Sequence, residues 1–150
     1  MDMPASRDTV TIDESVHYVY KELTDGTDPV TVPFKTMKDV FLWAAVLGYM
    51  RGERRPIAGK KHTIFRWAQF SSQTDIPVVK AITLADGDDI NVLLSQDEML
   101  NVVEEYANAG IHDLRSRLYD EHGQQLFNLV KSIPTKEKLG SEMRDNINEK

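Results

Sequence analysis

The feature that most constrains this chain is a stripe of apolar residues, Leu100, Val103, Ala107, Ile111, Leu114 and Leu118, recurring at spacings of three and four. Such positions share one side of an α-helix, and a helix with one apolar side is stable only when that side is buried. Ser95-Gln96-Asp97-Glu98 opens the helix as a capping box, with serine at the cap and glutamate three residues on. Gly110 interrupts the stripe at a cost of ~1 kcal/mol against alanine. Close approach of a second helix would explain it.

The run Val40–Met50, VFLWAAVLGYM, supplies a partner. It leaves almost no polar face, so it belongs in the middle of a helical bundle. It is about half the ~20 residues needed to span a bilayer, so it is read as buried and not membrane-spanning. Thr36 can cap it, and Asp39 places negative charge near the positive helix end. Gly48 and Gly52 are expected to mark its frayed end, and Pro56 opposes continuation. Ala44 and Leu47 should pack against Val103, Ala107, Ile111 and Leu114.

Shorter elements complete the reading. A first helix begins at Asp13 or Ser15 and runs to Leu23, and Val30 to Phe34 can be extended. Thr63 to Trp67 forms a short extended piece. Asp75-Ile76-Pro77 starts a helix to Ala85 with Ile76, Val79, Ile82 and Thr83 inward. A last amphipathic helix, Gln124 to Ile133, carries Leu126, Leu129, Val130 and Ile133 on one side. The expected fold is all-α, one helical domain over residues 13–133 with at most one short β-hairpin or extended segment. Residues 1–12 are read as a flexible N-terminus and 134–150 as a disordered polar tail. The first residues lack the apolar core of a signal peptide, and cytoplasmic localisation is expected.

Catalytic patterns are scarce. The chain has no cysteine, which excludes a thiol nucleophile, a disulfide framework and a Cys-ligated zinc site. His17, His62, His112 and His122 lie in separate segments, and HExxH, phosphate-loop and GxSxG patterns are absent. Ala85 to Asp89, ADGDD, lacks the spacing of a calcium loop. Glu104 and Glu105 point about 100° apart on a helix, so they are read as helix surface and not as a catalytic pair. Trp43 and Trp67 are read as core aromatics. No metal, no cofactor and no catalytic residues are expected.

Charge is distributed unevenly. The net charge is −6, yet Arg51, Arg54, Arg55, Lys60, Lys61 and Arg66 gather within sixteen residues against Glu53 alone. A bent, exposed loop around Pro56 and Gly59 would present these cations to phosphates, reading backbone and not base sequence. The competing reading is that they pair with the chain's own acids, Asp86 to Asp89 and Glu104/Glu105.

Three stretches, KTMKDVFLWAAVLGYMRGERRPI, IFRW and VVEEYANAGIHDLRSRL, occur in an order that resembles a small bacterial family, the fourth of the DNA phosphorothioation-associated (dnd system-associated) protein families. The resemblance implies a cytoplasmic accessory protein of a defence system that places sulfur in the DNA backbone and restricts unmodified DNA. It carries no catalytic residue set. The combined expectation is a non-enzymatic accessory protein contacting DNA backbone, or an acidic member of its complex, through Arg51, Arg54, Arg55, Lys60, Lys61 and Arg66. The alternatives are a protein-interaction subunit of the defence complex without DNA contact and, less favoured, a small nuclease or hydrolase.

Overall fold

The computed structural model describes residues 6–26, 34–87 and 89–119. The extended stretch expected at Val30, the helix at Gln124–Ile133 and the tail 134–150 lie outside the described residues. The elements run β1 (Thr9–Asp13), α1 (His17–Thr24), α2 (Met37–Arg51), β2 (Lys61–Arg66), α3 (Asp75–Asp86) and α4 (Gln96–Tyr119). Short 3-10 turns precede α1, follow β2 and link α3 to α4. The fold is mainly helical, as the periodicities require.

The pairing of α2 with α4 is the most extensive among the described elements. Thr36 Oγ1 caps α2 by accepting from the Asp39 amide at 3.3 Å, and Ser95 Oγ does the same for the Glu98 amide of α4. Ala44 and Leu47 join Val103, Ala107, Ile111 and Leu114 in one buried cluster, the packing expected from sequence. Where the helices touch, backbone meets backbone. A β-carbon on Gly110 would lie 1.8 Å from the carbonyl oxygen of Ala44, and one on Gly48 2.0 Å from that of Tyr106. Ala44 faces Gly110 while Gly48 faces Tyr106, so the helices cross in an antiparallel sense. Contrary to the expectation from sequence, Gly48 therefore does not fray α2. It is buried mid-contact, and the helix continues to Arg51. Gly52 then ends it in the left-handed region at φ 68°, where its amide reaches the Tyr49 carbonyl.

The strands correct one further expectation and sharpen another. Residues 9–12 belong to β1 and not to a free N-terminus, with Val10 and Ile12 buried on its inner side. Their partner is also not a local hairpin. β1 pairs antiparallel with β2, about fifty residues away, in the register Thr9 to Arg66, Val10 to Phe65 and Ile12 to His62. A register shift after Val10 leaves Ile64 as the extra residue of a bulge. Such long-range pairing has no local turn signal to betray it. Phe65 then stacks edge-on with Phe41 of α2 and with Phe70, at 5.5 and 5.1 Å between centroids, joining sheet to helices. Trp43 and Trp67 are half-buried at the margins of this core.

The crossing fixes the sign of two substitutions. In an open helix Gly110→Ala would stabilise by up to ~1 kcal/mol. Here it must drive the helices apart, so we expect a loss at or above the ~1–3 kcal/mol of an overpacked core. Gly48→Ala should behave alike. Chemical denaturation measures both, and a variant as stable as wild type would refute the contact.

Candidate nucleic-acid interface

The basic segment is held more firmly than its glycines and proline suggested. After Gly52, the Glu53 amide returns to the Gly48 carbonyl at 3.0 Å. The chain then runs along α4: the Arg55 amide donates to the Glu105 carbonyl at 3.1 Å. The Asn108 side-chain amide donates to the carbonyls of Arg55 and Pro56 at 3.0 and 3.3 Å. The six cations also do not share one loop. Arg51 ends α2, Arg54, Arg55 and Lys60 lie in the connection, and Lys61 and Arg66 belong to β2.

Half of these cations are engaged internally. Arg54 forks onto two carboxylates, Asp86 at 2.7 Å and Glu105 at 3.1 Å, and its guanidinium lies 5.7 Å from the centre of the Tyr106 ring. Partial burial works against its charge, but the bonds to Glu105 and Asp86 outweigh this and hold its pKa above the usual value. The Tyr106 hydroxyl donates to the other Asp86 oxygen at 2.6 Å. Burial first, and then that bond and the Asp86 charge, push its pKa up to about 12. Arg51 reaches Asp113 at 3.2 Å and Glu53 at 3.7 Å, while Lys60 lies 3.9 Å from Glu14. Internal pairing thus accounts for Arg54, through Asp86 and Glu105 among the acids named from sequence, and for much of Arg51, through Asp113 and Glu53.

Arg55, Lys61 and Arg66 are exposed and make no ion pair among the described residues. The bulge in β2 matters for two of them. Strict alternation would send Lys61 and Arg66 to opposite sides. With Ile64 as the extra residue, His62 and Phe65 pair with the inward Ile12 and Val10, so Lys61, Thr63 and Arg66 share the outer side. They span about 16 Å of strand.

Glu104 is a second correction, because it is not helix surface. It is 4% exposed, and Oε2 accepts from Arg7 Nη2 at 2.5 Å, the Thr11 amide at 2.7 Å and Thr11 Oγ1 at 2.9 Å. It clamps β1 to α4, while Glu105 turns away to Arg54, so the two carboxylates do not converge. No periodicity pointed to Arg7 or Thr11, since their role depends on a strand completed by distant residues. The histidines correct the sequence picture as well. His17 and His62 stack at 4.0 Å between ring centres across the start of α1 and β2. Burial, then the neighbouring His62 and Lys21, lower the His17 pKa against the pull of Glu14. Among the described residues no group of three or more His, Asp or Glu side chains is placed to hold a metal ion. None of the described helices is long and apolar enough to cross a membrane.

With these positions fixed, comparison with known proteins decides the family. The family model for DNA sulphur modification system-associated protein 4 matches residues 10–147. The chain belongs to that family. The match is wider than the stretches that carried the resemblance, and it takes in β1 from Val10 onward together with Arg51 to Arg66. No curated protein and no solved structure matches the chain.

Two outcomes follow for this family member. Arg54→Ala should lower stability by ~1 kcal/mol, since the side chain is partly solvent-screened yet doubly paired. Arg55→Ala and Arg66→Ala should stay within ~0.5 kcal/mol in the same melts. The second outcome concerns pH. Because His17 titrates lower in the folded chain, the unfolded chain binds more protons as pH falls through ~6.5. Stability should drop there, levelling off below the folded pKa. His17→Gln should lose less melting temperature between neutral and mildly acidic pH, and an identical loss would exclude His17 as a source.

Proposed function

We propose that this chain is a non-catalytic accessory protein of a DNA sulphur-modification system, working in the cytoplasm as part of a defence function and contacting DNA backbone through the exposed cations Arg55, Lys61 and Arg66. Family membership supports the accessory role. The observation that carries the DNA reading is the division of the basic segment. Arg54 is engaged in internal pairs, whereas Arg55, Lys61 and Arg66 are exposed and make no ion pair among the described residues, two of them aligned on one strand. Arginine forks onto phosphate oxygens and lysine adds point charge. Among the described residues no recognition helix accompanies them, so binding should ignore base sequence.

A second reading, an interaction subunit without DNA contact, draws on a different surface. Ile90 and Leu94, on the turn between α3 and α4, are 67% and 85% exposed, with Leu84 beside them in sequence at 38%. Exposed apolar side chains this close in sequence are the feature that a protein partner would cover.

Fluorescence anisotropy on a short duplex at several salt concentrations separates the two. Three phosphate contacts give a slope of log affinity against log salt of about −3. Replacing Arg55, Lys61 and Arg66 by glutamine should flatten that slope without lowering the melting temperature. Arg54→Gln should lower the melting temperature and leave the slope nearly unchanged. Absence of binding by wild type at low salt would reject the DNA contact and leave the interaction subunit.

A further inference from the structure

A polar cavity of about 260 Å³ lies where three segments meet. Pro56 and Ile57 of the connection, Lys61 at the start of β2, and Asn101, Glu104 and Glu105 of α4 line it. Spacings of three and four put Asn101 on the same side of α4 as Glu104 and Glu105. The facing wall is tied to the same helix, through the Glu105 carbonyl and the Asn108 side chain, which bond the backbone of Arg55 and Pro56.

Arg7 decides what this cavity offers. Its guanidinium donates to Asn101 Oδ1 at 2.9 Å and to Glu104 Oε2 at 2.5 Å. The amide and hydroxyl of Thr11 bond the same Oε2. Asn101 is thereby left with its amide nitrogen, a donor, and Glu104 with Oε1, an acceptor. Neither atom makes a hydrogen bond among the described residues, although the Glu104 side chain is only 3% exposed. A buried oxygen in that state calls for a donor that the described residues do not supply.

Charge and size narrow the ligand. Glu104 is paired by Arg7 and Glu105 by Arg54, which removes the surplus negative charge that would hold a cation. What fits is a neutral group with a donor for Oε1 beside an acceptor for Asn101 Nδ2 and Lys61. The cavity falls below the ~300 Å³ at which sites for drug-sized ligands begin. A nucleobase presents such an edge, and Pro56 and Ile57 give its ring an apolar wall. We infer that the cavity receives one unpaired base of a nucleic-acid strand whose phosphates lie along Arg55, Lys61 and Arg66. Lys61 belongs to both sets, and its three donors allow a phosphate and a base acceptor together. The inference rests on the DNA reading above and adds to it: paired bases stay unread, while an extruded base is held by its edge.

Fluorescence anisotropy on two duplexes tests this with the full chain. One carries a single bulged adenosine, the other the same bulge without its base, so that only the base differs. Wild type should bind the first several-fold more tightly. Ile57→Trp, which fills the cavity, should bring that ratio close to unity. Glu104→Gln is the sharper variant. The Arg7 and Thr11 donors keep the glutamine oxygen at the Oε2 position, so an NH2 group replaces Oε1 and an acceptor becomes a donor. The ratio should again collapse. A ratio taken within one variant cancels any general loss of affinity, and melting curves establish that each variant is folded. Because Glu104 also clamps β1 to α4, Ile57→Trp carries the test if Glu104→Gln unfolds. Equal, salt-dependent binding of wild type to both duplexes overturns the base pocket, leaves the cavity to a peptide amide and keeps the backbone contact. No binding to either duplex overturns both. A preference that persists in both variants places the base elsewhere and overturns the pocket as well.

Discussion

The structure depends on one contact in which two helices meet without intervening side chains. At Gly48 and Gly110 the backbones of α2 and α4 come so close that a single methyl group on either would overlap a carbonyl oxygen of the other. Helices packed through ordinary side chains lie 8–10 Å apart. Eliminating side chains at the crossing lets the flanking Ala44, Leu47, Ala107 and Ile111 close around it. The contact also sets the course of the chain beyond α2. Gly48 supplies the carbonyl that turns Glu53 back, and α4 then offers Glu105, Tyr106 and Asn108 to the following residues.

Electrostatics follows from that placement. An acidic chain with a cationic stretch can neutralise it internally or present it to a partner, and this chain divides the task by position. Arg54 emerges where Asp86 of α3 and Glu105 of α4 converge over an aromatic ring, so its fork is satisfied on both arms. Lys61 and Arg66 leave from a strand whose bulge turns both to the outer side. Isolated surface ion pairs add little stability. The Arg54 cluster differs because it joins the segment to two helices and a tyrosine hydroxyl at one point.

Sequence reasoning captured what is local and periodic. The capping threonine and serine, the α4 stripe, the inward Val79 and Ile82, and the close approach at Gly110 all follow from spacing and residue type. Gly48 was misread because a glycine near a helix end and one at a helix crossing look alike without knowledge of the facing surface. β1, the burial of Glu104 and the meeting of His17 with His62 share another cause. Each joins segments dozens of residues apart, and pairing across such distances leaves no periodic trace. In the candidate interface the six cations were legible, but their partners were only partly so. Asp86 and Glu105 were named among the possible acids, whereas Asp113 and Glu14 became visible only with the fold.

Native-state hydrogen exchange tests the central claim, that the α2–α4 crossing organises the molecule as one unit. The account predicts that amides around Ala44 to Leu47 and around Ala107 to Ile111 exchange only through global unfolding, with the same opening free energy. Their dependence on denaturant should also be the same. Exchange of the α2 amides through a smaller, separate opening while those of α4 stay protected would contradict it.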